Sequence, residues 1–104
     1  MRGKTLAQKE WTESVNEVDL EEPKLYKVIM WNDDYTTMDF VVEILADIFH
    51  RSYDEAIEIM LAIHEKGKGV CGRYTYEIAE TKIHQATKRA RENQFPLRLT
   101  MERD

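Results

Sequence analysis

The sequence predicts an α/β (α+β) domain with the element order β-α-α-β-α-β, in which a small three-stranded antiparallel sheet packs against three helices. Two observations predict this fold. Apolar residues recur at helical spacing in three segments, near residues 38–49, 56–63 and 79–90. Short apolar or alternating segments near 25–31, 70–74 and 97–101 have the length and pattern of strands. We expect the helices to cover one face of the small sheet and to leave the other face partly open.

Pro23 marks a change in composition along the chain. Residues 1–24 are polar, with basic residues first and an acidic block from Glu10 to Glu22. Their scattered apolar residues offer too little contiguous surface to offset an ordering cost of roughly 1–2 kcal/mol per residue. We therefore expect residues 1–24 to form a flexible N-terminal arm and residues 25–104 to form the folded core.

The first strand and the first helix are predicted from adjacent segments. Residues 25–31 are apolar and β-branched enough for a strand. Residues 37–49 carry one apolar helix face. We predict Thr36 as the N-cap of this helix, with Asp39 three residues later to complete a capping box.

The remaining elements have their own start and stop signals. Ser52 and Glu55 form a capping box that predicts the start of a second helix, and Lys66-Gly67 predicts its end. Residues 70–74 are expected to form a second strand, and Thr75 is expected to cap a third helix whose small alanines allow close packing on a sheet. The alternation from Leu97 to Met101 predicts a third strand with one buried face.

Composition limits the classes of function. The chain has 104 residues, a formal net charge of -5 and no long basic run, which argues against a nucleic-acid-binding surface. A single cysteine, Cys71, excludes an internal disulfide and suits a reducing compartment. No apolar run approaches the ~20 residues of a membrane span, and no secretory signal is visible. We expect a cytoplasmic protein that binds neither nucleic acid nor membrane.

The junction from Asn32 to Met38 is the first candidate site. It places an amide, two carboxylates and hydroxyls between a strand and a helix, where rigid elements can hold them around a ligand. The same residue types also form ordinary solvated turns, and the residues alone leave both interpretations open.

A hairpin of the first two helices would add apolar residues to this junction. It would bring together residues of both helices, namely Met38 and Val41 with Met60, Ile63 and His64. A lone histidine and methionines at such positions are also common as structural residues. A pocket with an apolar floor and a carboxylate, an amide and an imidazole at its rim would suit a ligand with a hydrophobic body and a cationic head.

Other arrangements that could carry chemistry fail on spacing. The segment Gly67-Lys68-Gly69-Val70-Cys71-Gly72 lacks the Lys-Ser/Thr pair and the following helix of a phosphate loop, so we interpret its glycines as a tight turn from helix to strand. The histidines, acidic residues and cysteine include no pair with the spacing of a zinc motif. Cys71 is interpreted as a small buried hydrophobe. We expect no enzyme activity, no metal and no cofactor.

Seven segments match one known family in register between about residues 24 and 103. They are Tyr26-Lys27-Val28, Asn32-Asp33-Asp34-Tyr35-Thr36, Met38-Asp39-Phe40-Val41-Val42, Ile59-Met60-Leu61, Gly69-Val70-Cys71-Gly72, Ala79-Glu80-Thr81-Lys82 and Ala90-Arg91-Glu92-Asn93. By these segments the chain resembles the ClpS family, the adaptors of bacterial Clp proteases that deliver N-degron substrates.

The resemblance implies a non-enzymatic adaptor that binds the free N-terminal residue of a substrate when that residue is Leu, Phe, Tyr or Trp. By matched position, the residues that would hold the α-amino group are Asn32, Asp33 and His64. The residues that would line the side-chain pocket are Thr36, Met38, Val41, Met60, Ile63 and Leu97, with Met38 excluding β-branched side chains. Glu77 and Lys82 would dock on the N-terminal domain of a ClpA-type AAA+ unfoldase, which would also engage the arm during handover.

Two departures from the family pattern affect the pocket. Thr37 stands where the family usually has proline, which would loosen the loop, and Ile63 stands where many members have valine, which would narrow the pocket by one methylene. The family core also resembles the C-terminal domain of the ribosomal stalk protein. The alternative function is therefore a stalk-like protein-protein docking module without an amino-acid pocket, and a small hydrolase is a third.

Overall fold

A computed structural model describes residues 22–104 of the chain. It contains three strands and three helices in the predicted order, which confirms the predicted fold. The elements are β1 (Tyr26–Trp31), α1 (Met38–Asp47), α2 (Tyr53–Lys66), β2 (Lys68–Tyr74), α3 (Tyr76–Glu92) and β3 (Arg98–Arg103). Most of the predicted arm, residues 1–21, lies outside the described residues.

The three strands form one antiparallel sheet with β1 in the centre and the order β2-β1-β3. On one side, Val28 stands opposite Gly72, and on the other it stands opposite Met101. The pairing with β2 shifts by one residue between Val28 and Ile29, at a β-bulge. Because β1 is paired on both edges, the loop that leaves its end at Trp31 starts from a fixed point.

One face of the sheet packs on the helices. Alternate residues of the strands, Val28, Met30, Cys71 and Leu99, belong to the buried core cluster together with apolar residues of α1 and α2. Helix α3 contacts all three strands, and its alanines Ala79, Ala86 and Ala90 are fully buried. Small side chains there let the helix approach the sheet closely. Truncating a fully buried core residue such as Ile44 to alanine would cost about 2–5 kcal/mol of stability.

The opposite face of the sheet carries polar and charged residues around Trp31. The Arg98 guanidinium lies 4.5 Å from the Trp31 ring centroid, and the Lys68 ammonium lies 5.2 Å from it. The indole Nε1 donates a 2.8 Å hydrogen bond to Thr100 Oγ1. The half-buried tryptophan is therefore held by cations and a hydroxyl from the two neighbouring strands.

Helix α2 begins and ends as predicted. Ser52 and Glu55 form a reciprocal capping box, with Ser52 Oγ accepting from Glu55 N–H and the Glu55 carboxylate accepting from Ser52 N–H. Gly67 ends the helix in the left-handed region with φ 90°, a conformation that glycine adopts without strain. Gly69 is small for a different reason, since a Cβ there would lie only 2.8 Å from Ile63 Cγ1.

The predicted cap of α1 was wrong by one residue. Thr37 is the N-cap, and its Oγ1 accepts from Phe40 N–H at 3.2 Å. Thr36 is held in the turn before the helix instead, because its N–H and its hydroxyl both donate to the Asp33 carboxylate. Since the third residue after Thr37 is Phe40, the predicted capping box with Asp39 does not form. Thr75 does occupy the N-cap position of α3, but its side chain makes no capping hydrogen bond.

Several element ends differ from the predicted ones. Helix α1 stops at Asp47, two residues before the predicted end, and the carbonyl of its C-cap Ile48 accepts a hydrogen bond from Lys82 Nζ at 2.6 Å. Strand β2 starts at Lys68, because Lys68 and Gly69 pair with the last residues of β1. Strand β3 likewise runs past Met101 to Arg103, which pairs with Tyr26. The extra residues of β2 and β3 belong to strands because they pair with the two ends of β1. A local apolar pattern does not indicate such pairing.

Candidate functional site

The loop between β1 and α1 is organised by the Asp33 carboxylate. Its Oδ1 accepts hydrogen bonds from Tyr35 N–H at 2.8 Å and from Thr36 N–H at 2.7 Å, and its Oδ2 accepts one from Thr36 Oγ1 at 2.7 Å. At the start of the loop, Asn32 N–H donates to the carbonyl of Gly67 at 2.9 Å. The loop is therefore a fixed turn, and its first residue is tied to the end of α2.

The surroundings of Asp33 hold its pKa below the ordinary value. Burial alone would raise the pKa, but it is outweighed by the hydrogen bonds from Thr36 and Tyr35 and by the positive charge of Arg91. The carboxylate is therefore ionised at neutral pH. Of its roughly four acceptor positions, the loop uses three, which leaves one for a ligand.

An open cavity of about 410 Å³ lies against this loop. Its size is that of a small-molecule site. It is lined by the loop, by two residues of α1 and by three of α2, namely Asn32, Asp33, Asp34, Tyr35, Thr36, Thr37, Met38, Val41, Met60, Ile63 and His64. The packing of α1 against α2 brings the two helices together at the junction, as the predicted hairpin requires.

The cavity has an apolar floor and a polar rim. Val41 and Ile63 are buried and form the floor, and Met60 is half-buried beside them. Met38, the first residue of α1, is 46% exposed and stands at the mouth. The exposed side chains of Asn32 and His64 join the Asp33 carboxylate at the rim. An apolar body can thus be buried while a cationic group meets a carboxylate, an amide oxygen and an imidazole.

Leu97 is the predicted pocket residue that does not line this cavity. It is 1% exposed and belongs to the core cluster just before β3. Its carbonyl accepts a hydrogen bond from Arg91 Nη1 at 2.9 Å. Its role in a ligand pocket stays a prediction from the matched position.

Three further loop residues line the cavity and were absent from the predicted set of site residues: Asp34, Tyr35 and Thr37. All three lie in the junction that the sequence singled out, so their position in the chain was the available signal. Tyr35 is the clearest case, because a 75% exposed aromatic side chain in a fixed turn contributes little to the core.

The two predicted docking residues line one groove along the first half of α3. A cavity of about 460 Å³ is bounded by both Glu77 and Lys82 together with His50, Ile78, Thr81 and Gln85. Glu77 is exposed, whereas Lys82 is half-buried and bound to the Ile48 carbonyl. The Lys82 ammonium also lies 5.3 Å from the Tyr74 ring centroid. Lys82 therefore stabilises the fold in addition to any contact with a partner.

Other side chains that could act as nucleophiles or metal ligands are isolated or buried. Burial raises the pKa of the Cys71 thiol to about 12, despite the opposing charge of Arg51 and a hydrogen bond from Met30 N–H. Within residues 22–104, no three His, Cys, Asp or Glu side chains are grouped so that they could bind a metal ion. No helix in this part of the chain is long and apolar enough to cross a membrane.

Comparison with known proteins gives a consistent result. The family model described as ATP-dependent Clp protease adaptor protein ClpS matches residues 21–100. The ClpS protein of Acetivibrio thermocellus is 54% identical over 102 residues, which cover 98% of each chain. The ClpS protein of Wolinella succinogenes is 53% identical over 91 residues, which cover 88% of this chain and 89% of the relative.

A solved structure agrees with the sequence comparisons. The structure of Agrobacterium tumefaciens ClpS2 bound to L-phenylalaninamide matches with a TM-score of 0.76 and 41% sequence identity, over 80% of this chain and 100% of the other. A family model that covers most of the chain and relatives that match it over nearly their full length support the same assignment. The chain belongs to the ClpS family of Clp protease adaptor proteins.

Proposed function

We propose that this protein binds the free N-terminal residue of a substrate, when that residue is Leu, Phe, Tyr or Trp, and delivers the substrate to a ClpA-type AAA+ unfoldase. The observation that carries the proposal is the cavity between the loop and the two helices, with its buried apolar floor and its rim of carboxylate, amide and imidazole. L-phenylalaninamide, the ligand of the solved relative, combines an α-amino group with an aromatic side chain. This cavity offers suitable partners for both parts.

The α-ammonium group would be held at the rim. It carries three N–H donors, and the acceptors available to it are the Asn32 amide oxygen, the free lone pair of Asp33 and a ring nitrogen of neutral His64. Each hydrogen bond to a charged group is worth about 1.5–3 kcal/mol. Acetylation of the substrate's amine would remove the charge and two of the donors, and it would place an acyl group against the rim.

The side chain would enter the apolar cavity. Burying a Leu or Phe side chain contributes about 1.5–3 kcal/mol. Val and Ile have similar hydrophobicity, so they must be rejected by shape, and their Cβ branch would lie close to the α-amino group at the mouth. Met38 stands there, which makes it the residue that excludes β-branched side chains.

Delivery would use a second surface, which shares no lining residue with the cavity. The groove shared by Glu77 and Lys82 would dock on the N-terminal domain of the unfoldase. Residues 1–24 would be engaged by the unfoldase during handover. Removing residues 1–20 is then expected to stop degradation of a Phe-initiated substrate while leaving peptide affinity unchanged. Normal degradation by the truncated protein would refute the role of this segment.

The experiment that tests binding is a titration with fluorescent peptides. A peptide beginning with Phe should bind, and the same peptide with an acetylated N-terminus should lose at least tenfold in affinity, since ~1.4 kcal/mol corresponds to a decade. A peptide beginning with Val is the matched control for the side-chain pocket. A stalk-like docking module would bind none of the three, and a hydrolase would convert one of them to product. Equal affinity for the free and acetylated peptides would refute the proposal.

A further inference from the structure

A second cavity adjoins the first on the far side of Tyr35. It measures about 470 Å³ and is lined by Tyr35, Arg91, Gln94, Phe95 and Pro96. Tyr35 also lines the cavity at the β1–α1 loop, so one aromatic side chain separates the two. None of the other four residues takes part in the proposed binding of the N-terminal residue.

The walls of this second cavity are fixed by hydrogen bonds. Arg91 Nη1 donates to the carbonyls of Phe95 and Leu97, both at 2.9 Å. Phe95 N–H donates to the carbonyl of Ala90 at 2.8 Å. Gln94 is held in the left-handed region with φ 64°, which is uncommon for a residue other than glycine. A segment that is pinned this way offers a preformed surface, so little conformational entropy is lost when a ligand binds.

The lining favours an aromatic ligand group. The ring of Phe95 is packed on Phe40 at a centroid distance of 4.8 Å, and Phe95, Pro96 and Tyr35 supply the apolar part of the lining. Arg91 uses Nη1 for the two carbonyls, and its Nε and Nη2 have no hydrogen-bond partner within residues 22–104. A guanidinium at the edge of an apolar groove attracts an aromatic face and repels a lysine or arginine side chain.

The exposure of Tyr35 also needs a reason. The residue is 75% exposed, and within the described residues its ring joins no aromatic pair and its hydroxyl makes no hydrogen bond. Only its backbone N–H is used, in the bond to Asp33. Any residue other than proline could donate that bond, so the loop itself does not require a tyrosine. A large aromatic ring between two cavities can instead pack against ligand groups on both sides.

We infer that the second cavity is a subsite for an aromatic side chain at the second or third position of the substrate. This inference rests on the proposed binding of the first residue in the adjoining cavity. An extended peptide advances ~3.3 Å per residue and points successive side chains to opposite sides. A chain that leaves the first cavity past Tyr35 therefore turns one of its next two side chains towards the groove. Arg91 is the group that would favour aromatic over basic side chains there.

The test uses four peptides that all begin with Phe and end in a carboxamide. One has alanine at positions two to four, and the others carry a single Trp at position two, three or four. We expect Trp at position two or at position three to raise affinity about fivefold over the alanine peptide, and Trp at position four to give no gain. Lysine in place of the favoured Trp is expected to lose the gain.

Two variants locate the effect on the protein. Tyr35→Ala and Pro96→Ala should each reduce the ratio of the affinity for the Trp peptide to the affinity for the Ala peptide. In Tyr35→Ala this ratio should fall to about one. Tyr53→Ala is the matched control, because Tyr53 is 71% exposed and lines neither cavity, so it should keep the full ratio. Because Tyr35 also lines the first cavity, Tyr35→Ala can weaken the binding of every peptide. The ratio cancels this general loss and reports only the contribution of the subsite.

The outcomes distinguish this inference from the proposed function. If the peptides bind through their first residue and Trp has no effect at position two or three, the subsite is refuted and the proposed function stands. A Trp effect that survives both Tyr35→Ala and Pro96→Ala also refutes the subsite. If none of the Phe-initiated peptides binds, both proposals fall.

Discussion

Replacing Asp33 with asparagine removes one charge from the rim of the cavity while keeping the turn. Asparagine has the size of aspartate, and its amide oxygen can accept from Tyr35 N–H and Thr36 N–H as Asp33 Oδ1 does. The Thr36 hydroxyl, which donates to Oδ2 in the native chain, can reverse and accept from the new amide nitrogen. Asp33→Asn therefore tests the charge without dismantling the loop.

The magnitude follows from the kind of hydrogen bond that is lost. The loop fills both acceptor positions of Asp33 Oδ1, so the position left for the α-ammonium is on Oδ2, which the asparagine replaces with NH₂. The lost hydrogen bond to a charged group is worth about 1.5–3 kcal/mol, so affinity for a Phe-initiated peptide should fall at least tenfold, since ~1.4 kcal/mol corresponds to a decade. The NH₂ group also places a donor against the donors of the α-ammonium, which adds to the loss.

The assay is a peptide titration of the wild type and the variant at pH 7. Asp39→Asn is the matched control, because Asp39 is exposed in the first turn of α1 and does not line the cavity. Both variants change the net charge equally, so a difference between them reports the local contact and not long-range attraction. Equal affinities of the two variants would refute the role of Asp33.

The lowered pKa of Asp33 adds a check on stability. A carboxyl group whose pKa is lower in the folded state stabilises the fold above its ordinary pKa, and this contribution is lost as pH falls through the folded value. The native protein should therefore lose stability relative to Asp33→Asn only in acid, below about pH 4. A difference that instead grew between pH 5 and pH 7 would contradict the assigned environment.

Four further predictions concern other parts of the molecule. Met38→Ala should admit Val- and Ile-initiated peptides while still binding Phe and Leu, and unchanged discrimination in a titration would show that Met38 does not guard the mouth. His64→Ala should lower affinity for a Phe-initiated peptide at least tenfold, because a hydrogen bond to a charged group is worth about 1.5–3 kcal/mol, and unchanged affinity would exclude the imidazole. Glu77→Lys should reduce delivery in a degradation assay at least tenfold with peptide affinity intact, whereas a charge reversal at Lys82 should also lower the melting temperature because its ammonium binds the Ile48 carbonyl. Cys71, with its pKa raised to about 12 by burial, should react with thiol reagents at pH 8 only at the rate of unfolding, and its contribution to stability should decline as pH rises from about 9 to 12; rapid labelling of the native protein would contradict its burial.

The parts of the fold that could be predicted depend on local signals. The capping box of Ser52 and Glu55 and the glycine at position 67 act through neighbouring backbone groups, and both were confirmed. The N-cap of α1 was misplaced because two threonines stand side by side. The Asp33 carboxylate distinguishes them, because it accepts hydrogen bonds from the N–H and the hydroxyl of Thr36 and so holds Thr36 in the turn. The helix then begins after Thr37, whose hydroxyl accepts from Phe40 N–H.

The grouping of loop and helix residues around one cavity could be predicted, but the limits of that cavity could not, and the binding roles of its residues stay predictions. Loop and helix residues were placed together correctly because the helix hairpin follows from a short connection and two apolar faces. The burial of Leu97 depends on the segment before β3, which Arg91 holds through two carbonyls. The second role of Lys82 depends on the end of α1, 34 residues away in the chain. No pattern of neighbouring residues reports contacts of this range.

An NMR titration with L-phenylalaninamide tests the central claim most directly. The account predicts that amide signals of the loop and of the facing helix turns shift on addition of the ligand, with the largest changes at Tyr35 and Thr36, whose N–H groups are bound to Asp33. N-acetyl-phenylalaninamide should cause at most small shifts at the same concentration. Shifts confined to the Glu77 groove, or equal shifts with the acetylated compound, would contradict the assignment of this cavity to a free N-terminal residue.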